Sequence, residues 1–157
     1  MRKSGRRRGS AFVEFALAST VLIAVFTGTF QFGYTFYVYN SLITAVSAGA
    51  RYASVQQISN SGGTDTSVPS SFTTAIKNLT VYGSPSPANG ASAIAPGLTT
   101  ANVDVQVQFT SGVPSQVTVS VINYSVDAVF RSFTFNNKPS STLPYLGSYC
   151  STGSTCP

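Results

Sequence analysis

Few residues in this chain are of types that do chemistry, and their spacing says which chemistries are missing. There is no histidine, so the commonest metal ligand and neutral-pH proton relay has no representative. The four acids, Glu14, Asp65, Asp104 and Asp127, stand far apart along the chain. No nucleophile–base pair or metal-ligand cluster forms around them, and the chain is read as a non-enzyme with no metal, cofactor or small-molecule substrate. The two cysteines, Cys150 and Cys156, lie at the very end. A C-x5-C pair matches no common zinc pattern without two further ligands. In an oxidising compartment it could close a small disulfide loop; otherwise it is a pair of thiols on a frayed end. Glu14 has the most unusual setting, because no charged residue lies between it and Arg51. A carboxylate near the start of a membrane helix costs a few kcal/mol if it lies deep, so it must sit near the interface, be protonated or be paired.

The charges and apolar runs define the elements that hold these residues. Arg2, Lys3, Arg6, Arg7 and Arg8 precede Gly9, whereas Arg51, Lys77, Arg131 and Lys138 are offset by the four acids. The basic balance therefore belongs to a tail. This disfavours nucleic acid as a partner, which calls for basic residues spread over a folded face. Only 8% of residues are charged, against about a quarter in a soluble domain. Residues 15–32 are apolar over the length needed to cross a bilayer core as a helix. Tyr34, Phe36, Tyr37 and Tyr39 follow, an aromatic cluster suited to the membrane–water interface. With Arg6, Arg7 and Arg8 on the opposite flank, the positive-inside rule predicts a cytoplasmic N-terminus and a C-terminal part outside the cytoplasmic membrane.

A cleaved secretory signal fits poorly. Ala16-Leu17-Ala18 comes too early, after a core broken by Glu14, and Ala48-Gly49-Ala50 comes too late. Beyond the aromatic cluster, Leu42, Ile43, Ala45, Val46, Ala50 and Ala53 recur at helical spacing, with Ser41, Thr44 and Ser47 on the other face. One helix over about residues 11–56, roughly 65–70 Å long at 1.5 Å per residue, is predicted. Its inner half would lie in lipid and its outer half would carry the rest of the chain.

The start of this helix reads Arg6-Arg7-Arg8-Gly9-Ser10-Ala11-Phe12-Val13-Glu14-Phe15-Ala16-Leu17, and its outer part contains Ala48-Gly49-Ala50-Arg51-Tyr52-Ala53. A basic leader ending in Gly, four residues, then Glu and an aromatic ahead of an apolar helix resembles the cleavage motif of Flp-type prepilins. The wording around it, and the second stretch, resemble the TadE-like family of pseudopilins; the resemblance covers residues 6–53, a third of the chain. It implies that a prepilin peptidase cuts after Gly9, on the cytoplasmic side. Ser10 then becomes the N-terminus and Glu14 the fifth residue. It further implies that the protein works with other pilins and the Tad machinery as a minor pilin or priming subunit of a type IVb pilus, from the inner membrane or the cell surface. Physical reasoning gives Glu14 a place in this scheme. The carboxylate could pair with the Ser10 α-amine of a neighbouring chain and set the axial register. A first-turn position would also suit its charge, and Gly9 would let an extended backbone enter a protease cleft. The competing reading is an uncleaved single-pass envelope protein whose exported domain binds a partner, with no filament role.

The chain thus divides into a leader (1–9), a transmembrane and extended helix (10–56) and an extracytoplasmic domain (57–157). Within the last, 59–67 reads as a polar loop. A helix is predicted over 70–83, with Phe72, Ala75, Ile76, Leu79 and Tyr82 on one face and Gly83 as its cap. Alternation of Val103, Val105, Val107 and Phe109 with Asp104, Gln106 and Gln108, and of Val117, Val119 and Val121 with Thr118 and Ser120, predicts strands at about 102–109 and 116–124. Residues 110–115 link them as a hairpin. Residues 123–135 are ambiguous between a third strand and a helix turn, with strand the preferred reading, and 139–157 read as an irregular tail. Two strands are marginal alone, so their apolar face should pack on the outer half of the long helix. The predicted class is α+β with a pilin-like plan. Arg51 is either an interfacial anchor or the partner of an exported acid.

Overall fold

The computed structural model describes residues 6–59, 68–127 and 132–150, with Arg6, Arg7, Arg8, Ser59, Tyr149 and Cys150 described as backbone. The expected 59–67 loop, apart from Ser59, lies outside these residues, as do Asp65, Arg131 and Cys156. A long helix, α1 (Arg6–Val55), opens the chain, followed by β1 (Ile58–Ser59), α2 (Ser70–Tyr82), a 3₁₀ turn (Thr100–Asn102) and six further strands. These are β2 (Val103–Thr110), β3 (Val113–Val121), β4 (Tyr124–Val126), β5 (Phe133–Phe135), β6 (Ser140–Pro144) and β7 (Tyr149–Cys150). The chain forms two compact units, Met1–Phe36 and Tyr37–Pro157.

In the first unit the apolar side chains of α1 have nothing to pack on. Phe12, Phe15 and Phe30 are 77%, 73% and 80% exposed. The hydroxyls of Thr20, Thr27 and Thr29 donate to the carbonyls of Ala16, Ile23 and Val25 at 2.8–2.9 Å, which removes most of the cost of placing them in hydrocarbon. Residues Gly9–Val55 of α1 are long and apolar enough to cross a membrane.

In the second unit the outer part of α1 is one wall of a core. Val38, Leu42, Val46, Ala50 and Ala53, at three- and four-residue spacing, are buried with Phe72, Ile76 and Val81 of α2 and Val103, Val117, Val119 and Val121 of the sheet. Ile43, expected on this face, is instead 38% exposed. Tyr39, at the end of the aromatic cluster, is half-buried with its ring 5.6 Å from that of Phe135. The layout is α+β and pilin-like: a long N-terminal apolar helix followed by a small antiparallel sheet.

That sheet has the order β2-β3-β6, antiparallel throughout. The β2–β3 turn is tighter than the expected 110–115 link. Thr110 pairs with Val113, and Ser111 and Gly112 turn the chain with φ of 53° and 79°. Positive φ at both central residues matches the right-handed twist of the flanking strands. The register slips between Gln108 and Phe109, leaving Ser115 as an extra residue opposite the bulge. Its hydroxyl donates to Gln108 O at 3.1 Å. Pro114 is accommodated at this bulge, beyond the reach of β6, which pairs only with Gln116 to Ser120 of β3.

Three expectations are corrected. Residues 123–135 do not form a third strand of the main sheet. Asn123, at φ 49°, turns the chain out of β3, and β4 and β5 pair with each other as a separate two-stranded ribbon. Asn102 holds this corner by donating to the carbonyls of Ile122 and Asn123 at 3.3 and 3.0 Å. The tail is not irregular over its described part: β6 is the third strand, and β7 pairs in parallel with β1. Finally, the buried face of α2 comprises Phe72, Ile76, Thr80 and Val81, with Ala75, Leu79 and Tyr82 only half-buried. Thr80 can be buried because its hydroxyl donates to Ile76 O at 2.8 Å. Gly83, at φ 74°, closes α2 by donating its N–H to Leu79 O at 2.8 Å.

Candidate processing and assembly site

The residues singled out for processing and assembly all lie on the first turns of α1. Helix begins at Arg6, so Gly9 and Ser10 are helical and exposed. The first turn contains no acid to favour the positive end of the helix dipole. An extended conformation across Gly9–Ser10 requires only this poorly favoured turn to open. A Cβ at Gly9 would meet nothing within 4 Å, so no tertiary contact opposes that opening.

Glu14 is the ninth residue of α1 and lies in its third turn. The expected first-turn dipole contribution therefore does not apply to the chain as it stands, since that effect fades within one turn. Its side chain is exposed, and no ion pair to it occurs among the described residues. Ser10 and Glu14 are four residues apart and share a helix face. Phe12 and Phe15, three apart, form an exposed aromatic pair beside them. The segment presents an exposed helical backbone and an exposed apolar surface.

The second stretch, Ala48-Gly49-Ala50-Arg51-Tyr52-Ala53, has a clear packing role. Gly49, Ala50 and Ala53 are buried, whereas Arg51 is exposed and makes no ion pair among the described residues. A Cβ at Gly49 would overlap Thr80 Oγ1 and come 3.7 Å from Val119 Cγ1. Here α1, α2 and β3 approach one another so closely that only glycine fits.

Sequence reasoning missed what finishes the C-terminus of α1. The last carbonyls of a helix have no partner within it, and here the tail supplies some. Leu146 N–H donates to Ser54 O at 2.7 Å, and the Tyr145 hydroxyl donates to Gln56 O at 2.8 Å while accepting the Ile58 N–H at 3.1 Å. Burial pushes the Tyr145 hydroxyl above its usual pKa of 10.0, partly opposed by the Ile58 hydrogen bond. Gly147 packs so tightly that a Cβ there would lie 2.6 Å from Gln56 O. An isolated aromatic in a polar tail gives little warning of such a role. Cys150 stands in β7 opposite Ser59, but its expected disulfide partner Cys156 lies outside the described residues.

No curated protein and no solved structure matches the chain. Residues 9–51, from the helical Gly9 to the exposed Arg51, match the family model described as TadE-like protein, the family that both quoted stretches resemble.

Proposed function

We propose that the protein is a TadE-like pseudopilin, a minor subunit in the assembly of a Flp-type (type IVb) pilus by Tad secretion machinery. A prepilin peptidase removes residues 1–9 on the cytoplasmic face. The mature chain stays anchored in the inner membrane through α1, with its C-terminal domain outside. The observation that carries this reading is the placement of Gly9, Glu14 and Phe15 behind three arginines, at the head of a helix whose large apolar side chains from Phe12 to Phe32 are exposed. Gly9, Glu14 and Phe15 lie within the family match, which runs over residues 9–51.

Cleavage changes the electrostatics of the helix start. It removes a turn of arginines, places the Ser10 α-amine at the new N-terminus and brings Glu14 to the fifth position. The carboxylate is then one turn from an ammonium of its own chain, and in a helical stack it can meet that of a neighbour. In hydrocarbon either pairing offsets the cost of a lone charge.

The test is the N-terminal sequence and intact mass of the native protein extracted from membranes, followed by Glu14→Ala. A start at Ser10, with E14A still inserted but co-isolating with partner pilins about tenfold less well, is expected; tenfold corresponds to roughly 1.4 kcal/mol per contact. A start at Met1 or Arg2 would leave an uncleaved anchor. Unchanged piliation in E14A, where deletion of the gene abolishes it, would refute the register role.

A further inference from the structure

Polar side chains with no hydrogen-bond or ion-pair partner among the described residues converge at one place on the second unit. A groove of about 240 Å³ lies between α1 and the segment around Pro139, lined by Tyr39, Ser47, Lys138 and Ser140, with Val46 and Pro139 among its apolar walls. The Tyr39, Ser47 and Ser140 hydroxyls and the Lys138 ammonium make no hydrogen bond or ion pair among the described residues. No carboxylate lines the groove. Three hydroxyls and one ammonium, with no anion among them, form an arrangement suited to a small oxyanion, and lysine is an effective point charge for phosphate.

The position along the chain indicates which oxyanion. Tyr39 follows Phe32, the last residue of the apolar crossing stretch, by seven residues of helix, or about 10 Å at 1.5 Å per residue. Lipid headgroups occupy the zone just outside the roughly 30 Å hydrocarbon core, where an ammonium among hydroxyls can meet their phosphates. We propose that this groove binds the phosphate of an anionic phospholipid headgroup, a contact that would hold the domain at a set height above the membrane. The inference rests on the reading that α1 is embedded in lipid.

The test uses the full chain, extracted in mild detergent and examined by native mass spectrometry. It is titrated with phosphatidylglycerol, phosphatidylethanolamine and, separately, inorganic phosphate. Retention of phosphatidylglycerol is expected. Lys138→Glu should weaken it about tenfold or more, since reversing the one charge in the groove turns attraction into repulsion. Ser47→Ala with Ser140→Ala should weaken it less, and Lys77→Glu, a lysine of α2 outside the groove, should leave it unchanged. Circular dichroism checks that each variant is folded. Equal binding by K138E, or equal weakening by K77E, would overturn the site. Inorganic phosphate binding lost in K138E, with no lipid retained, would overturn the lipid as the source and leave soluble phosphate as the ligand. Release of the protein from membranes by alkaline carbonate would break the anchoring reading. Retention there without lipid binding would break only this inference.

Discussion

The closest approach in the domain, at Gly49, supports a quantitative prediction. Gly49→Ala should destabilise the protein even though alanine is the better helix former. In an open helix interior the change is favourable by about 1 kcal/mol. Here the new methyl would overlap Thr80 Oγ1, which is fully buried and already donates to Ile76 O at 2.8 Å. Rotating Thr80 to relieve the overlap would break that bond, worth about 1 kcal/mol net, and would bring its own methyl toward the same space. The alternative, moving α1 away from α2 and Val119, strains a packed core by about 1–3 kcal/mol. Set against the helix-propensity gain, the net expectation is a loss of up to about 2 kcal/mol, or up to roughly 8 °C in midpoint for a domain of this size. The assay is thermal unfolding of the full chain in detergent micelles, followed by near-ultraviolet circular dichroism, which reports the domain's tyrosines. Thr80→Ala removes the obstruction, so G49A in a T80A background should cost little or become favourable. A G49A midpoint equal to or above wild type would refute the close-approach argument, as would strictly additive effects of G49A and T80A.

Tyr145→Phe removes the hydroxyl shared by Gln56 O and the Ile58 N–H and should cost about 1–3 kcal/mol in the same unfolding assay. Because burial raises the Tyr145 pKa in the folded state, its contribution is fully present below the unfolded value of 10.0 and is lost as the pH climbs through the raised folded value. Stability should therefore hold through neutral pH and fall in strong alkali, less steeply in Y145F; ultraviolet titration of tyrosinate should show one tyrosine ionising late that Y145F lacks. Gly112→Ala, at φ 79° in the β2–β3 turn, should cost about 1 kcal/mol, whereas Ser111→Asn, at φ 53°, should be neutral or stabilising; equal effects on unfolding would exclude a turn with both central residues left-handed.

What could be read from the sequence follows from where the patterns are local. The long helix rests on an apolar run with no proline, and β2 and β3 rest on clean alternation of valine with polar residues, so both are visible within a few residues. The helix start was placed too late, near 11 against the observed Arg6, because nothing in the leader forbids helix. Strand β6, Ser140-Ser141-Thr142-Leu143-Pro144, was illegible for a different reason. It is an edge strand with one apolar residue, Leu143, on its half-buried face, and it holds its place largely through backbone pairing with β3 and the Thr118–Thr142 hydroxyl contact at 2.9 Å. Such pairing depends on what β3 presents, which lies far away in sequence. The same holds for Thr80. A helical wheel places Leu79 inward, and only the proximity of Gly49 explains why a threonine is buried instead. At the candidate site, residue types and spacing were visible, whereas the helical state of Gly9 was not.

Strand β6, the cap on α1 and the β7–β1 ladder all come from residues 140–150, the last described part of the chain. Until that segment emerges from the ribosome or a translocation channel, one edge of β3 stays open and the end of α1 stays uncapped. A nascent chain stalled short of it is unfinished however much of the helix and hairpin has formed. Completion of the domain thus waits on delivery of residues 140–150, and a chaperone or protease that recognises open strand edges would distinguish chains that have placed this segment from chains that have not.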